Sequence, residues 1–166
     1  MTNPILAGKE VSMSDSFSYY EGELIDFITE ALNMKDNLVK RIISSASPSL
    51  IQDLRRMGII IDETYKHTLD NNAVRHTITV HGSTRELLRG QIPISKDDLL
   101  QIPNIISKYE GISIEKNRRE QDVIIYHKTM DDGITFYVEE IRIGRHELAA
   151  CTMYKRKKDD SPTLID

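Results

Sequence analysis

The sequence lacks several features that would define its class. Its 166 residues include one cysteine, Cys151, and no tryptophan. One cysteine forms no intramolecular disulfide, which fits a reducing compartment, and a chain of this length buries enough surface to fold without one. No apolar run approaches the roughly 20 residues of a membrane-spanning helix. The first 20 residues lack the basic start and apolar stretch of a secretory signal. We therefore expect no membrane partner.

Several functional motifs are also missing. The chain has no Gly-rich phosphate loop, no GxGxxG, no CxxC pair and no His-Glu-x-x-His. These absences argue against a P-loop enzyme, a Rossmann dehydrogenase and a cysteine-type zinc site. There is no excess of positive charge either, because 22 Lys and Arg face 26 Asp and Glu, a net charge of −4. This balance argues against a general nucleic-acid coating protein but leaves room for a local basic face.

The first 60 residues predict a polar arm followed by helices. Residues 1–20 are polar and aperiodic, which predicts a loose arm. Apolar residues then recur at helical spacing in two stripes: Leu24, Ile25, Phe27, Ile28, Ala31 and Leu32, followed by Val39, Ile42 and Ile43. A further short helix is predicted from Pro48 or Ser49 to Met57, with Gly58 as its stop.

From Ile59 onward the pattern changes. Residues 59–61 and 65–67 predict a short strand, and Asp70 is a candidate N-cap for a helix that runs to His81 and ends at Gly82. The β-branched alternation of residues 77–80 leaves a strand as the alternative there. Ser95 and Asp98 resemble a capping box, and Pro103 predicts a further helical turn.

After Gly111 the apolar pattern alternates with a period of two, which predicts strands. Asp132-Gly133 predicts a hairpin turn, and Gly144-Arg145 a second tight turn. The predicted fold class is α+β, with N-terminal helices followed by an antiparallel sheet of about four strands. The predicted domains are residues 1–60, a polar arm and helical segment, and residues 61–158, the functional domain. Residues 159–166 are predicted to be a disordered tail.

A polar cluster lies between residues 65 and 91. It includes three of the five histidines, and histidine titrates near neutral pH; the members are Tyr65, Lys66, His67, His76, His81, Glu86, Arg89 and Gln91. On a helix His76 and His81 lie about 140° apart, and on a strand they face opposite sides. Either arrangement makes a poor metal clamp, although His67 and Glu86 could complete a metal site. The alternative is that these histidines are surface and cap residues.

The last predicted strand carries a second group of polar residues. By alternation, Thr152 and Tyr154 face one side, and Ala149, Cys151 and Met153 face the other. Residues 145–158 hold five basic side chains and one acidic one, a net charge of +4, and four of the basic ones are consecutive from Lys155. Such a run is either a solvated edge that deters aggregation or a contact to a phosphate backbone.

Histidines, cations and hydroxyls without a metal motif are the groups that a metal-independent ribonuclease uses. Such an enzyme needs a base for the 2′-OH proton, an acid for the leaving oxygen and cations for the phosphorane. The RNA supplies the nucleophile, so no activated serine or cysteine is required.

An ordered set of short motifs resembles a known nuclease superfamily. In chain order these are Lys66-His67, Val74-Arg75-His76, His81-Gly82, Glu86, Arg89-Gly90-Gln91-Ile92-Pro93-Ile94, Asp97-Asp98, Ile102-Pro103-Asn104-Ile105-Ile106 and Thr152-Met153-Tyr154-Lys155. Over residues 64–158 the chain resembles phage-type nucleases of the barnase, EndoU, colicin and RelE-like superfamily. The resemblance implies helices before an antiparallel sheet, and a toxic, metal-independent endoribonuclease that needs no cofactor and cleaves tRNA or mRNA.

The resemblance also implies site residues. The catalytic set is His67, His76, His81, Arg89, Thr152, Tyr154 and Lys155, and the substrate-binding set is Lys66, Glu86 and Arg156. His67 or His81 is expected to act as base or acid, and Arg89 and Lys155 to neutralise the phosphate. Tyr154 is expected to stack on a base or donate to the phosphate, Thr152 to donate to it, and Glu86 to orient a histidine or anchor its loop.

The same resemblance implies a cognate immunity or antitoxin protein that covers the basic final-strand face. It places the action in the bacterial cytoplasm. Two alternatives stay open at this point. One is a non-catalytic protein-interaction module, and the other is a metal-dependent hydrolase that uses His67, His76, His81 and Glu86.

Overall fold

The computed structural model describes residues 10–14 and 17–158 as a mixed α+β fold built on one sheet. The strands are β1 Glu10–Ser14, β2 Phe17–Tyr20, β3 Leu38–Ser45, β4 Lys66–Asp70, β5 Gln91–Ile92, β6 Gly111–Lys116, β7 Asp122–Thr129, β8 Ile134–Arg142 and β9 Glu147–Arg156. The helices are α1 Leu24–Ala31, α2 Pro48–Arg56, α3 Asn71–His81, α4 Lys96–Leu99 and α5 Ile102–Lys108, with 3₁₀ turns at Thr84–Arg89 and Ile143–Arg145. None of the described helices is long and apolar enough to cross a membrane.

Several local predictions are confirmed. The Asp70 side chain accepts a hydrogen bond from the Ala73 amide and so caps α3, which ends before Gly82. Ser95 and Asp98 form a reciprocal capping box at α4. The helix predicted from Pro48 or Ser49 is α2, and its cap is Ser47, which was not predicted and whose side chain accepts from the Leu50 amide. Helix caps involve residues that are close in sequence, and for that reason the sequence alone can predict them.

The sheet is larger than the predicted four strands. β6, β7, β8 and β9 form the expected antiparallel meander, but the sheet continues through β4, β3, β2 and β1 beyond β9. β9 is paired on both sides, antiparallel with β8 and parallel with β4, and the short β5 also pairs with it. The prediction of about four strands is therefore wrong, and the helices are interspersed among the strands rather than N-terminal.

The predicted second helical stripe is a strand. Val39, Ile42 and Ile43 lie in β3, which pairs in parallel with β2 and antiparallel with β4. Three apolar residues within five positions fit both periods, and the β-branched content of this segment favours a strand once neighbours are present on both sides. β1 and β2 likewise replace the described part of the predicted loose arm, whose residues 1–9, 15 and 16 lie outside the described range, as do residues 159–166 of the predicted tail.

The helices cover one face of the sheet. Phe27 and Ile28 of α1, Leu50 and Leu54 of α2, and Ile102 of α5 are fully buried in the core cluster. Strand residues that share this cluster include Leu69, Ile124, Tyr126, Tyr137, Ile141, Leu148, Ala150 and Met153. Because β3 pairs with β4, the sheet includes strands from both sides of residue 60. The division into two domains there stays a prediction.

A bulge in β9 decides which of its side chains face the core. Val138 pairs with Thr152, whereas the next residue, Glu139, pairs with Ala150, which leaves Cys151 as the extra residue. Leu148, Ala150 and Met153 therefore face the helices. The predicted grouping of Ala149 with Met153 is wrong because simple alternation does not include the bulge.

A buried asparagine joins the loop after α1 to α3. The Asn71 side chain accepts a hydrogen bond from the Val39 amide and donates to the carbonyls of Met34 and Asn37. It is fully buried, so no water replaces these bonds when the side chain is removed.

We expect Asn71→Ala to lower the free energy of unfolding by about 3 kcal/mol, because it leaves buried backbone groups unpaired. The exposed neighbour Asn72 gives the matched control, and Asn72→Ala should change stability by less than about 0.5 kcal/mol. Urea unfolding of both variants measures the difference. Equal losses in the two variants would contradict this role of Asn71.

Candidate active site

The second half of α3 brings two predicted histidines together. His76 and His81 lie five residues apart, a spacing that does not place them on one helix face. Their rings nevertheless meet edge to face, with centroids 6.2 Å apart and planes at 78°. His76 is exposed, and His81 is partly buried.

A buried carboxylate orients His81. Glu86 is fully buried in the 3₁₀ turn that follows α3, and its Oε2 lies 3.0 Å from His81 Nδ1. Its other oxygen accepts a hydrogen bond from Arg89 Nη1 at 3.1 Å. An ionised Glu86 only accepts, so His81 Nδ1 carries a proton, and in the neutral ring Nε2 is then the nitrogen that takes up a proton. Gly90 ends the turn at a φ of +73°, a backbone conformation that glycine adopts without strain.

His81 begins a row of rings that crosses three strands. Its centroid is 5.8 Å from Tyr154 on β9, which stacks on Phe136 of β8 at 5.0 Å and 8°. Phe136 in turn contacts His127 of β7 at 5.8 Å. We call these four side chains the aromatic row. Along their strands, His127, Phe136 and Tyr154 each lie next to a core residue, which is Tyr126, Tyr137 or Met153. These three rings therefore lie on the sheet face opposite the core helices, where His81 at the end of α3 reaches Tyr154.

Cationic and hydroxyl groups border the aromatic row. The Arg156 guanidinium lies 5.1 Å from the Phe136 ring and 5.6 Å from the Tyr154 ring. Thr152, two residues before Tyr154, has a buried hydroxyl with no hydrogen-bond partner among the described residues. Rings that stack on bases, beside cations that pair with phosphates, are the usual components of a surface for single-stranded nucleic acid.

The structure places His67 away from this group. It faces the core and is 2% exposed, with Nδ1 2.7 Å from Glu139 Oε2. The Tyr126 hydroxyl donates to the other Glu139 oxygen at 2.6 Å. His67, Glu139 and Tyr126 therefore form a buried polar network between sheet and helices.

The two predicted lysines also lie apart from the aromatic row. Lys155 is 2% exposed on the core side and forms ion pairs with Asp98 of α4 and Asp132 of the β7–β8 turn. Burial alone would lower the pKa of Lys155, but its hydrogen bonds to Asp132 and Asp98 outweigh burial and raise it. Lys66 lies at the other end of the sheet, where it pairs in register with Glu147 and its Nζ donates to Ser45.

The residues of the metal-site alternative do not converge. His67 lies in the buried network, whereas His76, His81 and Glu86 lie at the end of α3. Within residues 17–158 no group of three or more His, Cys, Asp and Glu side chains could hold a metal ion.

Sequence reasoning missed Phe136 and His127. The sequence predicts the Asp132-Gly133 turn, and the strand register set by that turn pairs Phe136 with His127. Counting outward from that turn could therefore have found the pair. The partners of His67 and Lys155 had no comparable signal, because Glu139 and Asp98 are distant in sequence and are brought close only by the folded sheet.

Comparison with known proteins gives one match. A family model described as phage-Barnase-EndoU-ColicinE5/D-RelE like nuclease3 matches residues 40–161, which include the aromatic row, Glu86 and Arg89. No curated protein and no solved structure matches the chain.

We expect Glu139→Ala to lower the free energy of unfolding by about 3 kcal/mol, because His67 and Tyr126 then keep buried polar atoms without a partner. The exposed Glu115 of β6 gives the control, and Glu115→Ala should change stability by less than about 0.5 kcal/mol. Denaturant unfolding of both variants measures the effect. A Glu139→Ala protein as stable as the Glu115→Ala protein would contradict a structural role for this network.

Proposed function

Because the chain belongs to the phage-Barnase-EndoU-ColicinE5/D-RelE like nuclease family, we propose that it is a metal-independent endoribonuclease with its reacting phosphate beside His81. The observation that carries this proposal is the Glu86–His81 pair, which lies next to His76 and Tyr154 at the start of the aromatic row. A histidine oriented by a buried carboxylate is a common form of general base.

The proposed reaction is internal transfer at phosphorus. His81 Nε2 takes the proton from the ribose 2′-OH, the 2′ oxygen bonds to phosphorus, and the bond to the 5′ oxygen breaks. His76, whose ring adjoins His81, protonates the leaving 5′ oxygen. The products are a 2′,3′-cyclic phosphate and a free 5′-OH, so the step needs no oxidant, metal or protein nucleophile. Burial raises the pKa of the Cys151 thiol to about 11, which leaves little thiolate at neutral pH.

The surrounding groups bind the substrate. Arg89 and Arg156 supply positive charge for the phosphorane, whereas the Thr152 hydroxyl is buried and does not reach it. Phe136 and Tyr154 offer faces on which unpaired bases stack, which favours single-stranded RNA over a duplex.

We assign His67 and Lys155 to stability rather than catalysis. Both are buried on the helix side of the sheet with carboxylate partners. His81 is then the general base and His76 the general acid. The sequence alone leaves these roles open between His67 and His81.

We also propose that the protein is a toxin that acts on tRNA or mRNA in the bacterial cytoplasm. A cognate immunity or antitoxin protein would then cover the basic end of β9, where Arg156, Lys157 and Lys158 are exposed. Covering this end would bury Arg156 and block access to the aromatic row.

The direct test is incubation of the purified protein with total bacterial RNA in EDTA, resolved on a denaturing gel. We expect discrete fragments from the wild type and at least ~100-fold slower cleavage by His81→Ala, which lacks the general base. Thr79→Ala, an exposed change on the same helix, should cleave like the wild type. Circular dichroism shows that each variant is folded.

Two results would contradict the proposal. Cleavage by His81→Ala at the wild-type rate would remove His81 from the chemistry. Intact RNA with folded wild type would favour a protein-interaction module, and cleavage that appears only after a divalent metal is added would favour the metal-dependent hydrolase.

A further inference from the structure

A second site lies on the same sheet face as the aromatic row, at the opposite end. It is a pocket of about 290 Å³ between β2, β3, β4 and the Ile143–Arg145 turn that precedes β9. Glu147 lines it, seven residues before Tyr154 on the same strand. At about 3.3 Å per residue the pocket is therefore roughly 20 Å from the aromatic row.

The floor of the pocket is an ion pair in which both carboxylate oxygens are hydrogen-bonded. Lys40 Nζ donates to both oxygens of Glu147 at 3.0 and 2.9 Å, and the Thr68 hydroxyl donates at 2.6 Å. Burial alone would raise the pKa of Glu147, but the bonds from Thr68 and Lys40 outweigh it and lower the pKa, so the carboxylate is ionised at neutral pH. Glu147 is the only acid among the residues that the structure shows lining the pocket, and Lys40 already balances its charge.

The walls of the pocket add positive charge to this neutral floor. Lys66 lines the pocket and its Nζ donates to the neutral Ser45 hydroxyl, so no carboxylate among the described residues pairs with it. The Phe17 ring lies 4.1 Å from Lys40 Nζ and 5.5 Å from the Arg145 guanidinium. The whole chain carries a net charge of −4. A local excess of positive charge in an acidic protein favours an anionic ligand at this point.

His146 at the rim is held in one orientation. Its ring stacks on Tyr65 with centroids 4.8 Å apart and planes parallel within 1°. Its Nδ1 lies 2.6 Å from the Thr64 hydroxyl, which donates its single proton to Asp62. Since that hydroxyl has no second proton, His146 Nδ1 must be the donor to Thr64. The hydrogen bonds from Thr64 lower the pKa of Asp62, which keeps it an acceptor.

The backbone at His146 agrees with a fixed role for this ring. Its φ is +50°, in the left-handed region, which is uncommon outside glycine and is tolerated best by Asn, Asp and His. An exposed side chain held by a stacking partner and a hydrogen-bonded chain of Thr64 and Asp62 has less conformational entropy to lose when a ligand binds.

We propose that this pocket binds a backbone phosphate of the RNA strand, several nucleotides from the phosphate at His81, through the Lys66 ammonium and through Nε2–H of His146 in its imidazolium form, since His146 Nδ1 already donates to Thr64. The inference rests on the proposed ribonuclease function and extends it to the length of RNA that the protein holds. The shared sheet face connects the two sites, because β9 is one strand from Glu147 to Tyr154 and its bulge at Cys151 puts these two residues, seven apart, on the same face. A strand held at both ends lies along the sheet, and this favours extended single-stranded RNA.

The test is fluorescence anisotropy with a labelled, non-cleavable 2′-O-methyl RNA of about ten nucleotides, within the site sizes common for single-strand binding. The variants are Lys66→Gln, and His146→Asn, which tolerates the left-handed backbone. We expect each to weaken binding about tenfold, and Lys66→Gln to lower the slope of log affinity against log salt by about 0.7, the value for one lost phosphate contact. Lys108→Gln, an exposed change on α5, should bind like the wild type.

Wild-type affinity and salt slope in both Lys66→Gln and His146→Asn would overturn the pocket proposal, as would a wild type that does not bind the oligonucleotide. Titration with inorganic phosphate separates two sources of the anion. Displacement only at high phosphate supports an RNA phosphate, whereas displacement at low phosphate that disappears in Lys66→Gln would assign the pocket to free phosphate. Failure of the ribonuclease proposal is distinguishable, because total RNA would then stay intact while the oligonucleotide still binds and both variants still weaken its binding.

Discussion

The direct passage from β4 into α3 at Asp70 is the constraint on which the site depends. Asp70 is the last residue of the strand and also the cap of the helix, so no loop separates the two elements. β4 pairs with β9 only as far as Thr68 and Ala149, and α3 continues beside the rest of β9. The length of α3 then brings His81 to Tyr154. A loop at this junction would free the helix direction and separate the two rings.

The local parts of this arrangement could be predicted from sequence, and the long-range parts could not. The Asp70 cap, the Gly82 end and the Asp132-Gly133 turn each depend on neighbouring residues. The burial of His67 depends on Glu139, which lies 72 residues later in the sequence. The bulge at Cys151 is likewise set by the pairing of β8 with β9, so alternation along one strand misassigned Ala149.

The five histidines show how the environment separates roles, even among the three that the sequence groups in one cluster. His67 lies in the core against a carboxylate, where it completes a buried network. His76, His81 and His127 lie at or beside the aromatic row, and His146 lies at the rim of the pocket. Under the proposed function, an acidic chain presents RNA with a face whose basic groups are concentrated at two points. Such binding should weaken only moderately with salt, because the slope of log affinity against log salt scales with the number of phosphate contacts, and few contacts carry it.

The chemical ends of the cleaved RNA test the central claim most directly. Mass spectrometry of a defined oligonucleotide after cleavage in EDTA identifies both new ends. Attack by the 2′-OH, with His81 as base, gives a 2′,3′-cyclic phosphate and a 5′-OH, and an otherwise identical substrate with one 2′-deoxy residue at the cleaved position stays intact. Products with a 3′-OH and a 5′-phosphate, or cleavage of the deoxy-substituted substrate, would mean that water attacks the phosphate and would contradict the account.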